Sequence, residues 1–127
     1  MEKVAVVTGA SSGIGLAISK MLVQQDFFVY GFGRTFCDSE CFDNKFKSLF
    51  HQMVCDITDT KQLIDKLNII RQQHSVELLV NNAGVGFYGP HETLNSTKIQ
   101  QMVRTNLEAP MIITNILLRD LQKTKGT

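Results

Sequence analysis

Four apolar residues, Val4-Ala5-Val6-Val7, run straight into Thr8-Gly9-Ala10-Ser11-Ser12-Gly13-Ile14-Gly15. The apolar run reads as a short buried parallel strand. After Gly13 the period changes, and Ile14, Ala17, Ile18, Met21 and Leu22 are expected on one helical face. The glycines therefore sit where a strand hands over to a helix. A helix N-terminus carries unpaired N–H groups and a partial positive charge, which suits a phosphate. Glycines let the backbone turn with positive φ and approach such a group closely. The spacing is Gly9-x3-Gly13-x-Gly15 rather than the common G-x-G-x-x-G. A tight strand–helix turn with no ligand is the bland alternative for a glycine cluster taken alone.

The totals remove several classes of function. The 127 residues make one domain, 1–127, long enough to bury a core without disulfides or metals. A net charge of +1 with no dense Lys/Arg run argues against a nucleic-acid footprint. No apolar run approaches a membrane span, and the N-terminus enters strand and loop at once, so no signal peptide is expected. Cys37, Cys41 and Cys55 are odd in number and form no C-x-x-C, which reads as reduced thiols in a cytoplasmic protein. Cys37-x3-Cys41 with His51 lacks a fourth ligand and zinc spacing, so no metal is expected.

Three more strand–helix units follow. A second strand spans 27–32 and ends at Gly33-Arg34. In a dinucleotide fold an acidic residue at this point binds the ribose 2′-hydroxyl. An arginine there pairs instead with a 2′-phosphate, which favours NADP(H) over NAD(H); a solvated strand-end arginine is the alternative. Phe42, Phe46, Leu49 and Phe50 have helical spacing and read as core. A third strand at 52–55 leads into Asp56-Ile57-Thr58-Asp59, then a helix over 60–73 capped by Thr58 or Asp59. Asp56 reads either as a turn carboxylate or as an acceptor for an adenine amino group. A fourth strand, 76–80, ends in Asn81-Asn82-Ala83-Gly84. The loop 85–92 is glycine-rich and aromatic, and is expected above the crevice. The last helix, from Asn95 or Ser96 to about Leu121, contains Thr105-Asn106-Leu107-Glu108-Ala109-Pro110. Pro110 has no N–H for the Asn106 carbonyl, so a kink is expected there. Beyond it the helix is apolar nearly all round, which predicts burial on more than one side. Four such units give an α/β, Rossmann-like doubly wound parallel sheet in the order 3-2-1-4.

Thr8-Gly9-x3-Gly13-Ile14-Gly15, Asp56-Ile57-Thr58-Asp59, Asn81-Asn82-Ala83-Gly84 and the segment around Asn106 together resemble the short-chain dehydrogenases/reductases. The resemblance covers the whole chain but only the first half of that family's fold. It implies an NADP(H)-dependent oxidoreductase acting on an alcohol or carbonyl in a small-molecule substrate. It implies that Gly9, Ser11, Ser12, Gly13, Ile14, Gly15, Arg34, Asp56, Ile57, Asn82, Ala83 and Gly84 hold the cofactor. By the same resemblance Asn81 stabilises the sheet, and Asn106 belongs to the active site, its carbonyl holding a water of a proton relay.

The departure is equally plain. The family's fifth strand bears a Ser, and the following helix a Tyr-x3-Lys that moves the proton. Tyr30 is followed four residues on by Arg34 and Tyr88 by Glu92, so no Tyr-x3-Lys exists among these 127 residues. The expectation is a truncated fold: the cofactor-binding part of a reductase, inactive alone. An open sheet edge and an apolar last helix then favour self-association. The competing reading is a non-catalytic NADP(H)-binding sensor or regulatory module.

Overall fold

The computed structural model describes residues 2–37 and 42–127. The elements in chain order are β1 (Lys3–Thr8), α1 (Gly13–Gln24), β2 (Phe27–Gly33), α2 (Asn44–Leu49), β3 (Phe50–Val54), α3 (Thr60–Gln73) and β4 (Leu78–Val80). A short 3-10 turn at His91–Thr93 precedes α4 (Ser96–Val103), a π turn (Arg104–Glu108) and α5 (Ala109–Thr124). Cys41, one of the residues weighed above as a metal ligand, lies outside the described residues.

The four strands form one parallel sheet in the order β3-β2-β1-β4, as expected. Side chains alternate between its two faces. Val4, Val6, Tyr30, Phe32 and Met53 meet Leu63, Leu67 and Ile70 of α3 and Ile113 and Leu117 of α5. Ala5, Val7 and Val29 meet Leu22 and Val23 of α1 and Phe46 of α2 on the other face. Each fully buried leucine here contributes about 1.5–3 kcal/mol. The winding reverses between β1 and β4, so the crevice at their carboxyl ends is a binding position by topology.

Local signals set the boundaries. Asp43 accepts the Phe46 N–H at 2.7 Å to start α2, Asp59 the Gln62 N–H at 3.1 Å to start α3, and Asn95 the Lys98 N–H at 2.8 Å to start α4. Three expectations need correction. Phe50 opens β3 instead of continuing the helix; its ring stacks on Phe46 at 4.5 Å while its backbone pairs with Val29. The fourth strand begins at Leu78 rather than Val76, although Val76 is buried. The buried stripe of α1 is Gly15, Ser19, Leu22 and Val23, whereas Ile14 and Met21 are exposed. Small residues at 15 and 19 bring this helix close to the sheet, and Ser19 hides its hydroxyl on the Gly15 carbonyl at 2.8 Å.

The last helix is two helices joined by a π turn, with the Ala109 N–H donating five residues back to the Arg104 carbonyl. Ahead of Pro110, where a kink is expected, the turn carries one extra residue. α5 buries Ala109, Ile113, Leu117 and Asp120, while Ile99, Val103, Leu107, Met111 and Leu118 are exposed. Burial on more than one side is thus not seen here. At the chain's end, Thr127 donates its N–H to Glu77 (2.9 Å) and accepts from Leu79 (2.8 Å), the pattern of a parallel pairing along β4.

Candidate cofactor-binding site

The glycine loop adopts the backbone that its composition demands. Gly9 has φ +64° and Gly13 φ +56°, conformations that side chains disfavour. Gly15 serves a different purpose. A Cβ there would meet the Gly9 carbonyl and lie 2.6 Å from the Asn82 amide nitrogen, so the first turn of α1 rests directly on the loop. Ser12, at the N-cap, makes no side-chain cap hydrogen bond. The first-turn N–H groups of α1 thus face the loop without a serine oxygen occupying them.

Thr8 ties this loop to the end of β4. Its hydroxyl oxygen accepts from the Asn82 and Ala83 N–H groups, both at 3.0 Å. The Asn82 side chain donates to the Gly9 carbonyl at 3.2 Å. Asn81 turns away and donates to the Thr114 hydroxyl of α5 at 3.3 Å. The bond between the two strand ends thus comes from Asn82, and Asn81 secures a helix.

At the neighbouring strand ends, Arg34 is exposed and forms no salt bridge among the described residues. Gly33 accepts the Cys55 N–H at 2.9 Å, and a Cβ there would crowd the Ser11 side chain at 3.0 Å. Asp56 forms the turn of its first reading and also stands in the cavity wall. One carboxyl oxygen accepts the Thr58 hydroxyl (2.7 Å) and N–H (3.0 Å), forming a turn, while the residue also lines the cavity described below. The Thr58 hydroxyl, more than any other group, holds the Asp56 carboxyl below its ordinary range; partial burial opposes this, and the Thr58 N–H and Arg34 assist. The Asp56 N–H is taken by Gln62 at 2.8 Å. The next N–H, of Ile57, has no protein acceptor among the described residues. A carboxylate acceptor beside a free N–H donor matches the amino and ring-nitrogen pair on an adenine edge. Burial pushes the Cys55 thiol up to about 11, which leaves it protonated and inert near neutral pH.

Asn106 closes the far side. Its side-chain oxygen accepts the Val85 N–H at 2.8 Å and its amide donates to the Val85 carbonyl at 2.7 Å. This two-point clamp fixes the chain after β4 against the π turn. Lys98 lies 5.4 Å over the Phe87 ring, and Tyr88 is fully exposed.

These segments enclose an open cavity of about 380 Å³ at the carboxyl edge of the sheet. Of the residues expected to hold a cofactor, Gly9, Ser11, Ser12, Arg34, Asp56, Ile57, Asn82, Ala83 and Gly84 line it. Gly13, Ile14 and Gly15 do not; they shape the loop or, for Ile14, face solvent. Asn106 stands behind Val85 rather than in the wall. Sequence reasoning missed Phe32, Gly33, Cys55, Thr58, Val85, Gln101 and Thr105 as lining residues, and Thr8 as the tie. Gln101 and Thr105 share one helical face at a spacing of four, a signal obscured by the stronger apolar periodicity around them. Among the described residues no cluster of His, Cys, Asp and Glu is suited to a metal, and no helix is long and apolar enough to cross a membrane.

A parallel α/β sheet with glycine loop, strand-end carboxylate and switch-point crevice defines a nucleotide-binding fold of the dinucleotide type. The family model for short chain dehydrogenase matches residues 3–127, and the chain belongs to that family of oxidoreductases. It is 34% identical over 117 residues to an NADPH-dependent 3-dehydrocapnine reductase of Ornithobacterium rhinotracheale, spanning 90% of this chain and 41% of that protein. A metagenomic short-chain oxidoreductase solved in complex with NADP superposes with a TM-score of 0.80 at 28% identity, over 98% of this chain and 58% of that one. A short chain dehydrogenase from Leptospira borgpetersenii with bound NAD+ superposes with a TM-score of 0.83 at 21% identity, over 99% and 49%, which shows the shared fold. The chain spans about half the length of the relatives it matches. The family uses nicotinamide cofactors on small-molecule substrates.

Proposed function

We propose that these 127 residues form the NADP(H)-binding part of a short-chain oxidoreductase that interconverts an alcohol and a carbonyl. The observation that carries this reading is Arg34. It stands exposed and unpaired among the described residues at the end of β2, on the rim of the cavity, where an acidic residue would favour NAD(H). A guanidinium there offers a 2′-phosphate a charge-assisted, two-point contact. Gly9, Ser11 and Ser12 at the α1 N-terminus would hold the pyrophosphate, Asp56 and Ile57 the adenine edge, and Asn82, Ala83 and Gly84 the middle of the dinucleotide. The bound nicotinamide supplies hydride chemistry. These residues bind, orient and screen it, and the side chain of Asn106 holds the wall in place through Val85. Lacking a Tyr-x3-Lys, the segment by itself binds cofactor and does not turn over substrate. Its free thiols, Cys37 and Cys55, suit a reducing compartment such as the cytoplasm.

Thermal unfolding with NADPH or NADH tests this directly. NADPH at about a hundred times its dissociation constant adds about 2.7 kcal/mol and raises the midpoint. Arg34→Ala weakens NADPH roughly ten- to a hundredfold and leaves NADH unchanged. An equal response of the wild-type chain to both nucleotides, kept in Arg34→Ala, rejects the NADP(H) assignment. No response to either rejects cofactor binding by this segment.

A further inference from the structure

Four polar or charged residues are buried among the described ones: Thr8, Ser19, Thr105 and Asp120. Three have their polar atoms engaged. The Thr8 hydroxyl receives two N–H groups, Ser19 bonds the Gly15 carbonyl, and Asp120 accepts from Val76 and Arg71. Thr105 is the exception. Only 7% exposed, it has no hydrogen-bond partner among the described residues for its hydroxyl, not even the carbonyl one turn back that Ser19 and Thr124 use. A helical threonine buried to this degree ordinarily takes that carbonyl. No fully enclosed side-chain oxygen lacks a partner, so the Thr105 hydroxyl opens onto the cavity whose wall it forms.

Its position narrows the ligand. Thr105 lies in the π turn, one residue before Asn106, which clamps Val85. One turn earlier, Gln101 shares a polar groove with Asp56 and Thr58. Thr105 thus shares the cavity wall with the Asn82–Val85 segment and the Asp56–Ile57 corner. Resting on the cofactor reading given above, we infer that Thr105 is a cofactor-binding contact. Its hydroxyl exchanges a hydrogen bond with the adenosine part of the bound nucleotide, with Gln101 covering the same part from the adjoining turn.

Thr105→Val keeps shape and removes only the hydroxyl; Thr105→Ser keeps the hydroxyl and removes a methyl. Fluorescence titration of the 127-residue chain with NADPH, and calorimetric titration with adenosine 2′,5′-bisphosphate, separate the outcomes. Thr105→Val weakens both ligands by the same factor, roughly three- to tenfold. Thr105→Ser binds within about twofold of wild type, and neither variant lowers the unfolding midpoint of the free chain. Weaker NADPH with unchanged bisphosphate places the hydroxyl against the nicotinamide half and overturns the adenosine assignment. Unchanged binding of both overturns the contact altogether, and a lowered midpoint of the free Thr105→Val chain makes Thr105 a structural residue instead. Absence of wild-type binding to either ligand is a different result: it removes the cofactor reading, and this contact with it.

Discussion

The two ends of one sheet differ in how completely their polar groups are paired. At the amino end they are spent on each other. The Tyr30 hydroxyl meets His74 Nδ1 at 2.9 Å, and His74 Nε2 meets Glu2 at 2.9 Å. Asp120 accepts from the Val76 N–H at 3.2 Å and from Arg71 at 3.4 Å, and Thr124 donates to the Val76 carbonyl at 3.2 Å. At the carboxyl end Arg34, the Ile57 N–H and the Thr105 hydroxyl have no partner among the described residues, and glycines stand where side chains would fill the space. Pairing of this kind is what a fold does to stabilise itself. Donors left open along the carboxyl edge are what a ligand can use, and in this the two ends of the sheet differ.

The sharpest way to break this contrast is to fill the open end. Gly15→Ala places a methyl against the Gly9 carbonyl and the Asn82 side chain. Overpacking at so rigid a contact costs roughly 3 kcal/mol, and the better helix propensity of alanine returns less than 1. Urea unfolding should show the loss, and the nucleotide response should vanish with it; a fully stable variant would mean that the loop and α1 do not rest on each other as described.

Next in size is the pH dependence of the buried Cys55 thiol at the open end. Burial raises Cys55 from 9.0 to about 11 in the folded chain. The unfolded chain loses this proton first, so stability is full below pH 9 and falls as pH rises toward 11, by about 2–3 kcal/mol. Thermal melts between these limits check the slope, which should flatten in Cys55→Ala. Tyr30, also raised by burial and then by Glu2, adds a fall of the same sign above pH 10 that this variant keeps. An unchanged slope in Cys55→Ala would assign the whole alkaline limb elsewhere.

The paired end offers the matching test. Asp120→Ala leaves the Val76 N–H and Arg71 without their acceptor, at a cost of about 2 kcal/mol in denaturant unfolding. Arg34→Ala, the same kind of deletion at the open end, should change the stability of the free chain by less than about 0.5 kcal/mol. Equal losses from the two would erase the distinction between the ends.

Much of this was legible in the residues because the relevant signals are local. Thr8 to Gly15 declares a strand–turn–helix by its glycines, and Asp59 and Asn95 declare helix starts by their side-chain oxygens. The strand order follows once the crossovers are right-handed. What stayed hidden depends on packing or phase. Ile14 and Met21 look like core by periodicity, yet α1 approaches the sheet through Gly15 and Ser19, because closeness outweighed side-chain size. Phe50 belongs to an aromatic series that spans a helix and the strand after it, and period alone cannot divide the two. Thr105 and Gln101 lay inside an apolar pattern, and their exposure to the cavity follows from a turn type that the sequence marks only through Pro110.

That turn sets the timing of the molecule's last helix. A helix works as a screw thread, each residue advancing the angle by about 100°. The additional residue between Arg104 and Glu108 is a single step of slack. It lets Thr105 and Asn106 serve the cavity while Ile113 and Leu117 still arrive facing the sheet. Removing one residue here would force a choice between those two alignments: either the wall of the cavity or the core beneath α5 would be turned aside by a quarter of a revolution or more.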